Sequence, residues 1–307
     1  MINEHKFQLN VETKKIIEEI YHHIFLRLHE QYIIVFLCGG ASNKKHMSRR
    51  DRVRKIWKND KKSYYKKTLK VFYPEDLLME VLNKTKDADL LSYERFLANN
   101  SHVIVIICES AGALVELGAF TNNKYTVDKV VAAIDKKHAK DKSFIMQGPI
   151  KYLKKRNKYN VLEYGQDDEK LSEQLSKNIK EKFKIYQNCN SMIDLTTIVG
   201  MHYFIQLIIY FFKELNSQEL VDLIRYVSEK EEIKYEDFTV LYNAALKLLF
   251  QDKQIVKISG KQYSIYKLTD AGFQTMKNMI KDCAIVGICD KLRVKLLHSE
   301  FYKSSHS

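Results

Sequence analysis

The sequence contains few residues that break regular structure, with two prolines and ten glycines among 307 residues. This composition excludes a long proline- or glycine-rich linker. The most apolar stretch, residues 199–212, is shorter than the roughly 20 residues that span a bilayer, and it contains His202 and Gln206. We therefore expect a buried helix there and no membrane segment.

The five cysteines are odd in number and form no Cys-x-x-Cys pair. This usage predicts reduced, buried thiols in a cytoplasmic protein. The polar N-terminus lacks the apolar core of a signal peptide. The histidines show no paired metal-ligand spacing such as His-Glu-x-x-His, so we expect no catalytic metal and no cofactor.

The formal net charge is +13 and the sequence pI is about 9.2. A basic chain favours anionic partners such as nucleic acid, a membrane surface or a phosphorylated ligand. Residues 43–67 are strongly basic, and Arg49, Arg50 and Arg52 fall on a predicted helix. Arginine suits phosphate, so we interpret this helix as a nucleic-acid or phosphate site; a solvated helix face is the alternative.

Buried-strand patterns alternate with helical ones in the first part of the chain. Continuous β-branched runs predict strands at 32–37, 69–72 and 102–108, and further strands at 127–134 and 142–146, with a helix at 88–98. This alternation predicts an α/β, Rossmann-like domain with a parallel sheet, whose ligands bind outside the carboxyl ends of the strands. Three suggestive segments follow predicted strands: Gly39-Gly40, Glu75-Asp76 and the run from Ser110 to Glu116.

The pattern changes after about residue 187. Helices are predicted at 192–213, 217–228 and 236–250, followed by two alternating runs around Gly260 and a last helix from Thr269. This is the outline of a mainly α winged helix-turn-helix, so we predict domains of residues 1–187 and 188–307. Lys257 and Lys261 would meet nucleic-acid phosphates. Asn243 is the only clear base-reading side chain of helix 236–250, so sequence-specific binding is expected to be weak.

Glu116 has the spacing of a catalytic carboxylate. Ser110 ends a predicted strand, Gly112 allows a tight turn, and Glu116 follows in the first two turns of a helix. A carboxylate there can attack an anomeric carbon, while Ser110 and the helix N-terminus hold a phosphate or ribose oxygen. A solvated helix glutamate has the same spacing, so spacing alone leaves both interpretations open.

The motif Ser-x-Gly-x-x-x-Glu-Leu-Gly resembles the superfamily of nucleoside deoxyribosyltransferases and deoxynucleoside-monophosphate hydrolases. The resemblance implies that Glu116 is the nucleophile and that Ser110 contacts the sugar or phosphate. It implies that Gly39 and Gly40 line the base and sugar pocket, and that Asp76 contacts the ribose or base. The first loop reads Cys-Gly-Gly-Ala-Ser, without the aromatic after a proline typical of transferases, so water is the expected acceptor.

Residues 88–120 further resemble antiphage defence effectors encoded beside retron reverse transcriptases, which pair this domain with a C-terminal winged helix. The resemblance implies a toxic N-glycosidase acting on a nucleotide, with NAD as the favoured substrate. It implies control by a reverse transcriptase and its RNA–DNA product (msDNA), and we expect a higher-order oligomer. The alternatives are a nucleotide-sensing DNA-binding regulator without catalysis and a scaffold, which is compatible with the enzyme.

Overall fold

The structure is a computed structural model that describes residues 9–28, 33–59, 69–75, 99–187, 193–259 and 263–304. The chain divides into two compact units: Gln31–Ser191, and Met1–Glu30 together with Met192–Ser307. Helix α1 (Val11–His23) therefore groups with the C-terminal part, whereas the sequence had assigned residues 1–187 to one domain. The predicted helix at 88–98, Asp76 and Lys261 lie outside the described residues.

The unit Gln31–Ser191 contains a five-stranded parallel sheet with the strand order β2-β1-β3-β4-β5. The strands are β1 Ile33–Cys38, β2 Leu69–Phe72, β3 Val103–Cys108, β4 Val130–Asp135 and β5 Val161–Tyr164. This is the open Rossmann-like sheet that the sequence predicts. The strand order reverses between β1 and β3, and sheets of this kind bind ligands outside the carboxyl ends of their strands at such a point.

The fifth strand is not where the sequence placed it. Residues 142–146 are not a strand, because the chain there enters a π-helical turn, Met146–Ile150, that contains Pro149. Within the described ranges of this unit, the structure gives the bounds of four α-helices: α2 Arg49–Asn59, α3 Ala111–Asn122, α4 Lys151–Arg156 and α5 Asp168–Gln187.

One face of the sheet packs against α2 and α5. Alternate residues of the strands, such as Val35 and Val105, form a core with Val53, Trp57 and Leu175 from the two helices. Each fully buried side chain of this kind contributes roughly 1.5–3 kcal/mol. The indole Nε1 of Trp57 donates to Ser176 Oγ at 2.9 Å, which fixes α2 on α5. The first residues of α2 are thereby held beside the carboxyl edge of the sheet.

The other unit is mainly helical, with a small antiparallel sheet ordered β6-β8-β7. Its elements after α1 are α6 Ile198–Phe212, β6 Glu214–Asn216, α7 Ser217–Lys230, α8 Phe238–Gln251, β7 Ile255–Ser259, β8 Ser264–Leu268, α9 Asp270–Asp282 and α10 Val286–Ser304. From α6 to β8 this is the order of a winged helix-turn-helix. Side chains of Asn216, Asp237 and Thr269 cap α7, α8 and α9.

Helix α6 explains the most apolar stretch of the sequence. Its residues from Ile198 to Phe211 are all buried, and Gln206 donates to the carbonyl of Gly272 at 3.0 Å and to Gln254 Oε1 at 3.1 Å. The helix is therefore covered within its own unit and has no broad apolar face left for a second copy. None of the helices in the described ranges has the length and apolarity to cross a membrane.

Candidate active site

The loop after β1 passes close to two neighbouring elements. Gly39 has φ +151°, and a Cβ at this position would lie 3.2 Å from Arg50 Cβ and 3.4 Å from the carbonyl oxygen of Ile107. A Cβ on Gly40 would lie 3.5 Å from Ser110 Cβ and 3.6 Å from Glu109 Oε1. Only glycine adopts the positive φ of Gly39 without strain. The fold therefore brings the Gly39-Gly40 loop against the loop after β3, as strand-end placement predicts.

Ser110 and Gly112 begin helix α3. The Ser110 Oγ accepts a hydrogen bond from the backbone N–H of Ala113 at 3.2 Å, so the serine is the N-cap of the helix. The expectation of a tight turn at Gly112 is wrong, because this residue lies within the first helical turn. A Cβ on Gly112 would have no described heavy atom within 4 Å. The helix thus begins beside open space.

Glu116 lies in the second turn of α3 and is half-buried. Burial is the main cause that raises the pKa of its carboxyl to about 7, the charge of Glu75 raises it further, and the charge of Arg50 opposes both. Burial and then the charge of Glu116 also raise the pKa of the Cys108 thiol to about 12, and the same two causes act on Cys38. The Glu116 carboxylate is therefore close enough to the ends of β1 and β3 for its charge to raise the pKa of the cysteine at each end.

Arg50 and Glu75 form an ion pair at the same edge. The Arg50 Nη1 lies 2.6 Å from Glu75 Oε1, and the arginine is 4% exposed whereas half of the Glu75 side chain is exposed. The Arg50 guanidinium also stacks 4.2 Å from the ring centroid of Tyr73. A buried charge is stable only when paired, so Glu75 holds Arg50 in the site. The sequence places Glu75 after a predicted strand but gives no indication that it pairs with Arg50.

Asp51 and Tyr73 connect the beginning of α2 to the segment after β2. The carboxylate of Asp51 accepts short hydrogen bonds from the hydroxyls of Tyr73 and Ser42. Burial and the hydrogen bond to Asp51 raise the pKa of Tyr73. This connection positions the segment that carries Glu75. Sequence patterns did not reveal it, because its partners are 22 positions apart in the chain.

Arg49 and Arg52 have internal partners. Arg49 is 8% exposed, and its Nη1 donates to the carbonyl of Gly165 at 2.6 Å. Arg52, whose side chain is 38% exposed, pairs with Asp168, which also lies 3.4 Å from Arg49 Nε. Both arginines therefore anchor the loop between β5 and α5. The predicted nucleic-acid surface on α2 is not supported at Arg49 and Arg50, because burial and internal pairing leave them no free face for a phosphate backbone.

Of the two lysines predicted to meet nucleic-acid phosphates, the structure describes Lys257. Lys257 is exposed on β7, an edge strand of the small sheet. Tyr266 is buried in the wing, whereas Tyr263 is 43% exposed. Helix α8 is mostly buried, and Asn243 lies on its partly exposed stripe.

No group of three His, Cys, Asp or Glu side chains that could hold a metal ion occurs among the described residues. The described part of the site consists of one half-buried carboxylate, a second carboxylate paired with a buried arginine, a capping serine and two closely packed glycines. Carboxylates with perturbed pKa values at a strand edge are typical of sites that act on polar ligands.

Residues 46–257 match the family model of the STM3845 retron effector protein. A curated relative from Escherichia coli, the "Retron Ec86 putative ribosyltransferase/DNA-binding protein", is 25% identical over 287 residues, covering 89% of this chain and 87% of its own length. A Retron Ec73 protein of the same description, also from Escherichia coli, is 32% identical over 122 residues, covering 39% of this chain and 37% of its own.

The family match covers more than half of the chain, including Glu116, Ser110, Arg50 and Glu75. It extends from the loop before α2 into strand β7. The protein therefore belongs to the STM3845 retron effector family.

Proposed function

We propose that the protein is an N-glycosidase that cleaves a nucleotide, with NAD as the favoured substrate and Glu116 as the nucleophile. The observation that carries the proposal is a half-buried carboxylate, its pKa raised to about 7, where the strand order of the sheet reverses. Ser110 begins the helix that carries Glu116. The two curated relatives carry the description "putative ribosyltransferase/DNA-binding protein", and ribosyl transfer is a chemistry centred on the same glycosidic carbon.

The reaction proceeds in two displacements. A carboxylate oxygen of Glu116 attacks C1′, the C1′–N bond breaks, and its electron pair leaves with the base. Water then attacks C1′, the ester bond to Glu116 breaks, and the carboxylate is restored as a proton passes to solvent. The pyridinium nitrogen of NAD takes up the electron pair, so nicotinamide leaves as a neutral molecule without a general acid.

The charges at the site favour a cationic leaving group. Glu116 and Glu75 carry negative charge when ionised, and Arg50 balances only part of it. A positively charged nicotinamide ring beside Glu116 lowers the pKa of this carboxyl from about 7, because an opposite charge favours the ionised form. Substrate binding would therefore generate the nucleophilic carboxylate at neutral pH.

The remaining predicted contacts complete the proposal. Ser110 and the N-terminus of α3 hold a phosphate or ribose oxygen, and the space beside Gly112 admits the ligand. The Gly39-Gly40 loop lines the pocket, and Asp76 would contact the ribose or base. The first loop, Cys-Gly-Gly-Ala-Ser, lacks the aromatic residue typical of transferases, so water rather than a second base accepts the glycosyl group.

Family membership supports a place in a retron. We propose that a reverse transcriptase with its RNA–DNA product holds the enzyme silent, in a higher-order assembly in the cytoplasm. Release of this control would expose the cellular nucleotide pool to Glu116, which makes the protein a toxin in antiviral defence.

The test compares the wild-type chain with Glu116→Gln and with Glu173→Gln, an exposed glutamate on α5 that serves as the matched control. Each protein is incubated with NAD and with deoxynucleotides, alone and as a complex with the retron reverse transcriptase and msDNA, and released base is measured by chromatography. We expect nicotinamide from the wild type and the control, and a loss of roughly a thousandfold or more in Glu116→Gln. Absence of base release from every substrate in both states would contradict the proposal.

The second candidate is a nucleotide-sensing regulator that binds DNA without catalysis. The winged-helix element order and the exposed Lys257 on β7 favour it. A shift selective for one duplex sequence and unchanged in Glu116→Gln, together with no base release, would support this candidate. Equal binding to all duplexes would contradict it.

A further inference from the structure

The segment that follows β4 carries most of the net charge of the chain. Residues 136–158 contain eight lysines and one arginine against one aspartate, a net +8 of the chain's +13. All eight lysines are exposed. Charge of one sign at this density attracts a polyanion.

Internal ion pairs neutralise only part of this charge. Lys137 pairs with Asp135, Lys154 with Glu163, and Arg156 with Asp128. Six further lysines form no ion pair with any residue in the part of the chain that the structure describes: Lys136, Lys140, Lys142, Lys151, Lys155 and Lys158. These lysines are available to an external anion, in contrast to Arg49 and Arg50 on α2.

The same segment forms a groove and presents two aromatic rings. The groove has a volume of about 400 Å³, and its lining includes Lys140, Lys151, Lys154 and Lys155. Phe144 is 87% exposed and Tyr152 is 46% exposed. Both rings are therefore accessible for stacking on unpaired bases. The π-helical turn of the groove contacts α3, the helix that carries Glu116.

We infer that residues 136–158 form a binding surface for single-stranded nucleic acid. A strand with unpaired bases offers both chemistries at once, because its phosphates meet the lysines and its bases stack on aromatic rings. A duplex buries its base faces within its own stack and leaves nothing for Phe144. A lipid surface is flat and cannot enter a groove, so it would contact only the protruding side chains. This inference is independent of the proposed glycosidase reaction.

The test uses the full chain and a labelled oligothymidylate of about 20 nucleotides, followed by fluorescence anisotropy. The groove variant replaces three unpaired lysines with glutamine, and the control variant makes the same charge change at exposed lysines elsewhere. The groove variant is Lys140→Gln, Lys151→Gln and Lys155→Gln; the control is Lys55→Gln, Lys170→Gln and Lys177→Gln. Circular dichroism melts check that both variants fold.

We expect the groove variant to bind oligothymidylate at least about tenfold more weakly than the control, with a slope of log affinity against log salt smaller by about 2. Equal affinity of the groove and control variants would overturn the inference. The inference would also be overturned if the groove variant lost as much affinity for a duplex of the same length as it loses for the single strand.

Variants at Phe144 distinguish stacking on bases from insertion into lipid. Phe144→Leu keeps an apolar side chain but removes the ring, so we expect both Phe144→Leu and Phe144→Ala to lose about tenfold in affinity for oligothymidylate. Vesicles of equal parts phosphatidylserine and phosphatidylcholine provide the lipid probe. Vesicle binding that Phe144→Leu retains, with no affinity for oligothymidylate, would assign the surface to a membrane and overturn the inference.

Discussion

The Arg50 Nη1 lies 2.6 Å from Glu75 Oε1, and the two charges act in opposite directions on Glu116. Glu75 raises the pKa of the Glu116 carboxyl and Arg50 lowers it, while burial contributes the largest increase. Burial therefore accounts for most of the raised pKa, and the ion pair adjusts the pH at which the proposed nucleophile is ionised.

The pH dependence of catalysis follows from this arrangement. A nucleophile with a pKa of about 7 loses its charge below that pH, so kcat/KM should fall on the acid side of about pH 7. Glu75→Gln removes the like charge and frees Arg50, and both changes lower the pKa of Glu116. We expect the acid limb of the kcat/KM profile to move to lower pH. An acid limb that stays in place in this variant would contradict the coupling.

Ionised Glu116 should destabilise the fold. Its pKa rises from 4.5 to about 7, so the folded chain binds the proton more tightly than the unfolded chain. Stability is therefore retained below pH 4.5 and is lost as the pH rises towards 7, by at most about 3 kcal/mol. Glu116→Gln should melt at a higher temperature than the wild type at pH 8 and close to it at pH 4.5. An equal difference in melting temperature at both pH values would show that ionisation is not the cause.

The sequence predicted the elements whose signals are local. The β-branched runs of β1 and β3 and the position of Glu116 after them are determined by neighbouring residues, and the structure has them where expected. Strand β5 was missed because it has four residues, two of them buried, and gives a weaker pattern than the run at 142–146 that precedes Gly148-Pro149.

Long-range partners could not be predicted in the same way. Arg49 pairs with groups about 116 positions away, so the basic run that contains it looked like a surface feature. The grouping of α1 with the C-terminal unit likewise depends on packing between distant segments. Glu75 directly precedes Asp76 in the sequence, and charge pattern alone does not reveal which acid pairs with Arg50.

Gly39 and Gly112 should respond oppositely to alanine. Gly39→Ala strains a backbone at φ +151° and meets Arg50 Cβ at 3.2 Å, so we expect a loss of about 1–3 kcal/mol in unfolding free energy. Gly112→Ala places a methyl group in open space on a helix, so stability should rise by up to about 1 kcal/mol. Because that space is proposed for the ligand, KM should rise. Chemical denaturation and steady-state kinetics measure both effects, and a stable Gly39→Ala variant would refute the close packing.

Ser110 has a capping role that must be separated from its proposed ligand contact. Ser110→Gly removes the hydroxyl but costs a helix N-cap only a few tenths of a kcal/mol. We expect a melting temperature close to that of the wild type and a raised KM for the nucleotide. Thr197→Gly, which changes the N-cap of α6 in the other unit, is the matched control and should leave KM unchanged. An unchanged KM in Ser110→Gly would assign the serine to capping alone.

The most direct test of the account is base release by Glu116→Gln beside the wild type and Glu173→Gln, with NAD as substrate. The account predicts nicotinamide release by the wild type and by Glu173→Gln, and a loss of roughly a thousandfold or more in Glu116→Gln while the fold is retained. Equal release by Glu116→Gln and the wild type would contradict the assignment of Glu116 as the nucleophile.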